Sequence, residues 1–155
     1  MLRPLLALTA LGLLAAQSPA FAQAQAPQDP FVPRASVMVE NNTPVPQTVA
    51  GTNVAPFQLL PHQQARLEMS AASPPPPASP GGSASVQFQY SIGQAPGPQC
   101  HGAIDMSLRT EGSIPGHYEI TNCVAHSLGT EGGNCNIVVS ARNAVCQGGL
   151  AFSSR

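Results

Sequence analysis

The chain has 155 residues, of which 8% are charged, and its formal net charge is −1 at pH 7. A near-neutral chain of this kind lacks the basic stripe that binds nucleic acid or an anionic membrane surface, so we expect neither partner. Its length fits one domain with a hydrophobic core of its own.

Residues 1–22 have the three parts of a secretory signal peptide. Arg3 provides the positive start, Leu5–Ala16 the apolar core, and Ala20-Phe21-Ala22 a small-x-small cleavage site. The apolar run is much shorter than the roughly 20 residues that span a membrane. We therefore predict an exported protein, periplasmic or alternatively extracellular, whose mature chain begins near Gln23 and does not insert into a membrane.

The first half of the mature chain changes from irregular to strand-like. Residues 23–34 are rich in Pro and Gln, which predicts a flexible lead-in to a single β domain over residues 35–155. Apolar residues then recur at every second position, as in half-buried strands. The predicted strands are Ser36–Glu40, Val45–Val49, Asn53–Leu59 and Gln64–Ser70. Pro46 would confine the second of these to a sheet edge, because proline has no N–H to donate.

Residues 71–85 form a low-complexity segment that contains Pro74–Pro77 and the pair Gly81-Gly82. Consecutive prolines favour polyproline II, and glycines add flexibility. We therefore predict an exposed Pro/Gly/Ser-rich spacer between two halves of the domain.

The second half repeats the period of two. Strands are predicted at Val86–Ile92, Ala103–Arg109, His117–Thr121, Ile137–Val139 and Ala151–Phe152. The continuous apolar run Ile137–Val139 is compatible with a strand covered on both faces. About eight short strands without a capped helical stripe predict an all-β fold, a small antiparallel β-sandwich with a small β-barrel as the alternative.

The four cysteines are Cys100, Cys123, Cys135 and Cys146. In an exported protein an even number of cysteines predicts disulfides, and no C-x-x-C pair suggests a metal site. A hairpin turning at Glu111-Gly112 would bring the first two cysteines to one end, which favours Cys100–Cys123 with Cys135–Cys146. The pair Cys123–Cys135 has matching strand parity and stays open.

The favoured pairing carries a structural requirement. In an antiparallel hairpin the residue numbers of each pair have the same sum. Ile104 and Ile120 share a face only if that sum is even, whereas the numbers of Cys100 and Cys123 have an odd sum. Bridging the two cysteines therefore needs a β-bulge, which Pro115-Gly116 or Asn122 could supply.

The segment Ala125-His126-Ser127-Leu128-Gly129 resembles the nucleophile elbow of the α/β-hydrolases, with Ala in place of the first Gly. That family places an acid and then a histidine after the nucleophile. Beyond Ser127 the chain has no Asp and no His, and Glu131 is the only acid. We interpret the five-residue match as coincidence and predict no catalytic residue.

A hairpin whose paired positions sum to 222 would place His117 opposite Asp105, with Glu119 and His101 on the same solvent face. Such a cluster could bind a divalent metal or act as an acid–base pair. An exposed cross-strand ion pair is the simpler interpretation, so we predict no metal and no cofactor.

Two further patterns have simple interpretations. Asn41-Asn42-Thr43 matches a glycosylation acceptor, but Pro44 follows it directly and only eukaryotic export would use it, so a chance match is favoured. The few aromatic residues fit core positions, and no aromatic platform for stacking on sugars is visible.

These observations favour an exported, non-enzymatic interaction or structural protein of the bacterial envelope. Its partner would be a protein or another envelope component, contacted through a sheet edge or an inter-strand loop. One alternative is a small metal-binding protein or hydrolase that uses the His/Asp/Glu cluster. A further alternative is an inhibitor of a secreted hydrolase.

Overall fold

The computed structural model describes residues 31–73, 75, 79, 81–110 and 117–154, and the statements below concern this part of the chain. The predicted signal peptide, most of the predicted lead-in and the turn predicted at Glu111-Gly112 lie outside the described residues.

The described residues form strands and turns without any helix, which confirms the all-β prediction. The nine strands are β1 (Arg34–Asn41), β2 (Gln47–Gly51), β3 (Val54–Leu59), β4 (Gln64–Ser70), β5 (Ser83–Gly93), β6 (Gln99–Thr110), β7 (Tyr118–Thr130), β8 (Gly133–Arg142) and β9 (Val145–Ser154). Every predicted strand has a counterpart among them, although those of the second half are longer than the apolar alternation indicated.

The strands form a four-stranded sheet with the order β4-β1-β9-β8 and a five-stranded sheet with the order β3-β2-β5-β6-β7. The sheets are separate and do not close on each other, so the sandwich prediction is confirmed and the barrel alternative is wrong. All pairings are antiparallel except that of β1 with β9, which is parallel.

The core lies between the two sheets and follows the period of two. Along β5, Phe88, Tyr90 and Ile92 are buried, whereas the intervening side chains point to the opposite face. Phe88 and Phe152, one from each sheet, are the largest fully buried side chains among the described residues. The aromatic residues thus act as core residues, as the alternation predicted.

Several local predictions on the first half need correction. Pro46 lies just before β2, and β2 is an interior strand between β3 and β5, so the proline does not confine it to an edge. The end of the predicted lead-in packs on the domain, because Phe31 lies 5.8 Å from the ring of Tyr118. Pro33 is buried as well, and its carbonyl accepts the N–H of Ala71.

The predicted spacer is also partly integrated into the fold. Its last three residues, Ser83–Ser85, belong to β5. Pro75 is buried, and its carbonyl lies 3.5 Å from the hydroxyl of Tyr118. The hydroxyl of Thr110 donates to the carbonyl of Ser79 at 2.9 Å. These contacts hold parts of the segment against the domain, whereas its composition had indicated an exposed connection.

The prediction that Ile137–Val139 is covered on both faces is wrong. Val138 is 69% exposed, while Ile137 and Val139 are half-buried against the core. The reason is that the described strands form two layers, so no third layer covers the outer face of the four-stranded sheet, on which Val138 lies.

The structure contains two disulfides, Cys100–Cys135 and Cys123–Cys146, with Cα–Cα distances of 6.0 and 5.8 Å. Both the favoured pairing and the alternative Cys123–Cys135 are therefore wrong. The prediction assumed a bridge across the β6–β7 hairpin, but Cys100 lies opposite Gly129 in that hairpin. The bridges join β6 to β8 and β7 to β9, from one sheet to the other.

A β-bulge lies next to Asn122. Leu108 pairs with Ile120 and Ser107 with Asn122, so Thr121 is an extra residue on β7. One inserted residue inverts the strand parity beyond it, which lets both Ile120 and Cys123 face the core. A bulge was expected here, but it serves the bridge to Cys146 rather than one to Cys100.

Asn41 organises a buried polar corner between the β1–β2 loop and the β3–β4 turn. Its amide nitrogen lies within 3.1 Å of the carbonyls of Val45, Leu59 and Leu60. Its side-chain oxygen accepts from the N–H and the hydroxyl of Thr43. Asn41 is fully buried, so the folded chain has no room for a glycan on this amide, in agreement with a chance match to the acceptor motif.

Candidate functional site

A groove of about 680 Å³ crosses the outer face of the five-stranded sheet from β2 to β7. Side chains that point to the same face of a sheet form rows across its paired strands. Two such rows form the walls of the groove, and the backbone between them forms its floor. The first row consists of Ala50, Ser91, His101 and Leu128, and the second of Thr52, Gln89, Ala103 and His126. The backbone of Gly51, Tyr90, Gly102 and Ser127 forms the floor. We call this feature the transverse groove.

The floor depends on a glycine. A Cβ at residue 102 would collide with the hydroxyl of Tyr90 and the backbone carbonyl of His126, so only Gly fits there. The Tyr90 ring lies under Gly102 on the core side, and its hydroxyl donates to the carbonyl of His126 at 3.1 Å. Burial raises the pKa of Tyr90 to about 12, and a hydrogen bond with Ser127 opposes this shift. Tyr90 thus ties three strands together beneath the groove.

The walls offer hydrogen-bonding groups without a fixed charge. Thr52 is anchored on β5, because its N–H donates to the carbonyl of Gln89 and its hydroxyl accepts the N–H of Gln89. Ser91 and the two histidines supply further donors and acceptors, and Leu128, which is 67% exposed, adds an apolar patch at one end. The small side chains of Ala50 and Ala103 keep the space between these groups open.

The acidic group nearest to the groove is already engaged. Asp105 accepts a hydrogen bond from Gln87 at 2.8 Å, and its other oxygen lies 3.4 Å from Nε2 of His126. His101 contacts Gln99 through a 3.0 Å interaction with its side-chain oxygen. These side chains are at the surface, so the Asp105–His126 contact is a solvent-screened pair.

The predicted cluster of His101, Asp105, His117 and Glu119 is not assembled. In the observed register Asp105 lies opposite Val124. The residue numbers of the pairs in this region sum to 229, whereas the prediction assumed a sum of 222. Glu119 pairs with Arg109, which is about 13 Å along β6 from Asp105 and about 26 Å from His101. The histidine that approaches Asp105 is His126, which the shorter predicted strand had left outside the hairpin.

Ser127 does not occupy a nucleophile elbow. It lies within β7, which runs without a helix into the turn at Glu131-Gly132, and its hydroxyl donates to the carbonyl of Cys135 at 3.3 Å. The resemblance to the α/β-hydrolase motif therefore has no structural counterpart.

Among the described residues there is no group of three or more His, Cys, Asp or Glu side chains that could hold a metal ion. No helix in this part of the chain is long and apolar enough to cross a membrane. Two disulfides are consistent with an oxidising compartment.

Comparisons with known proteins give no matching family model, no matching curated protein and no matching solved structure.

Sequence reasoning missed the transverse groove because its residues are ordinary positions of four strands and a turn. One signal was available: Gly102 interrupts a strand pattern, and a glycine in a strand often marks a close approach of another group. Which residues form the rows depends on the register in which the strands pair, and the local sequence of one strand does not contain that information.

Proposed function

We propose that this protein is an exported, non-enzymatic binding protein of the bacterial envelope, and that the transverse groove binds an uncharged, hydroxyl-rich ligand such as a neutral oligosaccharide. The observation that carries the proposal is the chemistry of the groove walls. Thr52, Gln89 and Ser91 provide neutral donors and acceptors around an open floor, which is the pattern of a site that orients a polar ligand.

The floor favours a ligand that is recognised by side chains. The strands under the groove are paired on both sides from β2 to β6, so their N–H and C=O groups are bonded within the sheet. A peptide strand could not extend the sheet there, whereas hydroxyl groups can exchange hydrogen bonds with amide and hydroxyl side chains.

Charge argues for a neutral ligand. The described residues that line the groove include no Arg or Lys, and the nearby carboxylate of Asp105 is shared between Gln87 and His126. An anion would find no permanent positive charge, and a cation would have to displace existing contacts. Since no Phe or Trp is among the described residues that line the groove, and the ring of Tyr90 lies on the core side, we expect weak binding that is lost when the groove is filled.

The experiment compares three forms of the oxidised mature protein on immobilised neutral and uronic-acid-containing bacterial oligosaccharides. Ala103→Phe places a ring in the groove, and Ala55→Phe adds the same ring at an exposed site on β3 as a matched control. The proposal predicts that wild type and Ala55→Phe bind neutral oligosaccharides and that Ala103→Phe does not. Binding only to the acidic set, equal binding by Ala103→Phe, or no binding by wild type would refute it.

A further inference from the structure

The transverse groove is elongated, and its long axis runs across the strands. It passes over β2, β5, β6 and β7, which are neighbours in this order in the five-stranded sheet. Neighbouring strands lie about 4.8 Å apart, so the axes of the first and the last strand are separated by roughly 14 Å. The two walls are two residues apart along each strand, which is about 7 Å. A site with these proportions fits one elongated chain that lies across the strands.

Hydrogen-bonding side chains recur along this axis at every strand. Thr52 directly follows β2, Gln89 and Ser91 lie on β5, His101 lies on β6, and His126 lies on β7. Each wall takes one residue from each strand or its adjoining turn, so these groups repeat at the spacing of the strands. A ligand whose hydroxyl groups recur at the same interval would find a partner at each strand.

This interval distinguishes sugar chains of different shape. In an extended β-1,4-linked chain, each pyranose unit lengthens the chain by a distance close to the spacing of neighbouring strands, which is about 4.8 Å. An α-1,4-linked chain of the same units coils and advances less with each unit. Its successive units would therefore leave the line of the walls, whereas those of the extended chain stay within it.

We infer that the transverse groove binds an extended, neutral, β-1,4-linked oligosaccharide that runs across the strands, with about one sugar unit at each strand. The inference rests on the proposed function and adds the shape, the direction and the length of the ligand. The groove volume of about 680 Å³ lies within the range of ordinary ligand sites. If each unit gains about one net hydrogen bond, the affinity rises roughly threefold to tenfold with each unit until all four strands are covered.

The test is a length series measured by isothermal titration calorimetry on the oxidised mature protein. The probes are cello-oligosaccharides of two to six glucose units, and malto-oligosaccharides of the same lengths serve as the matched series. The two series have the same composition and differ in linkage, which separates the shape of the chain from its hydroxyl chemistry. The inference predicts that the Kd of the cello series falls with each unit up to the tetraose and changes by less than about twofold beyond it. The malto hexaose should bind at least about tenfold more weakly than the cello hexaose.

A variant that shortens the groove tests where the ligand lies. Ala50 is the wall residue at the β2 end, and Ala50→Ile fills this end with an aliphatic side chain that is favourable in a strand. The inference predicts that the affinity then stops rising at three units instead of four, while the affinity for the disaccharide is unchanged. Ala55→Ile adds the same side chain at an exposed site on β3 and should leave the limit at four units.

The outcomes separate this inference from the proposed function. Equal affinity for the two series, an affinity that stops rising at the disaccharide, or a limit that Ala50→Ile leaves at four units would overturn the inference while binding of neutral sugars stands. No binding of either series would overturn it as well. The proposed function itself fails only if wild type also binds none of the immobilised neutral oligosaccharides or if Ala103→Phe binds them equally.

Discussion

At the scale of single residues, Asn41 is the clearest case of a polar side chain that determines local structure. It is fully buried, and its side chain accepts from the N–H and the hydroxyl of Thr43 and donates to carbonyls that include the buried one of Leu59. Asn41→Ala should lower the free energy of unfolding by roughly 2–4 kcal/mol, because several buried groups lose their partners together. Urea unfolding of the oxidised protein measures this.

The neighbouring Asn42 provides the control for that experiment. It is exposed, and the contact it makes to Phe152 uses its backbone N–H, which alanine retains. Asn42→Ala should change the stability by less than about 0.5 kcal/mol. Equal effects of the two substitutions would show that the buried corner does not act as described.

Tyr90 gives a prediction for pH dependence. Its pKa is raised from the ordinary 10.0 to about 12 by burial, so the native state keeps a proton that the unfolded state releases. The stability from this protonated hydroxyl is therefore fully present below pH 10 and is lost as the pH rises from 10 to 12. A titration of tyrosinate absorbance should show a late component near pH 12 that Tyr90→Phe removes; a late component that persists in this variant would contradict the assignment.

The burial of a side chain could be predicted from the sequence where apolar and polar residues alternate along a strand. Phe88 and Ile104 were expected on a buried face, and both are buried. The prediction failed for His126, which contacts Asp105 only because β7 continues past the bulge at Thr121. The sequence around these residues contains no signal for where the two strands come into register.

At the scale of elements, the bulge at Thr121 leads to an unusual prediction. Removing Thr121 would leave Ile120 and Cys123 separated by Asn122 alone, a regular in–out–in alternation that keeps both side chains on the core face. The deletion variant should therefore fold and form both disulfides. Mass spectrometry after alkylation without reduction counts the remaining thiols.

Deletion of Val124 is the matched control. It removes one residue from the same strand where the register is regular, so it inverts the side chains on one side of the deletion. This variant should expose free thiols and lose its cooperative unfolding transition. If both deletions behaved alike, the assignment of the bulge to Thr121 would be wrong.

Most elements could be predicted because exposed and buried positions alternate clearly in them. β4 was expected at Gln64–Ser70 and occurs there. β8 was harder, since the run Ile137–Val139 is apolar on both faces and indicated a covered strand, whereas Val138 is exposed on the outer face of its sheet. Whether a strand is covered on both faces is set by the number of layers in the fold, which a local pattern does not contain.

At the scale of the whole molecule, the two disulfides fix the sheets against each other. They close loops with sequence separations of 35 and 23 residues. Each should contribute about 3–4 kcal/mol by restricting the unfolded chain. Replacing Cys100 and Cys135 together by alanine should lower the unfolding free energy by that amount while leaving Cys123–Cys146 intact.

Cleavage of the non-reduced protein after Arg and Glu separates all four cysteines, because Arg109, Glu131 and Arg142 lie between them. The structure predicts that the Cys100 peptide stays linked to the Cys135 peptide, and the Cys123 peptide to the Cys146 peptide. A linked Cys100 and Cys123 pair would contradict the arrangement of the two sheets. The odd or even sum of two residue numbers could not decide how the cysteines pair. That sum applies to neighbouring strands of one sheet, whereas both disulfides join strands of different sheets.

The transverse groove combines all three scales: a glycine floor, a register that aligns the rows, and a sheet face that the rest of the fold leaves open. Titration of the isotope-labelled mature protein with a neutral oligosaccharide, followed by amide chemical shifts, tests its role most directly. We predict that the largest shifts occur at Thr52, Gln89, Ser91 and His101, and that Ala103→Phe abolishes them. Shifts confined to the four-stranded sheet, or none at saturating oligosaccharide, would contradict the proposed binding site.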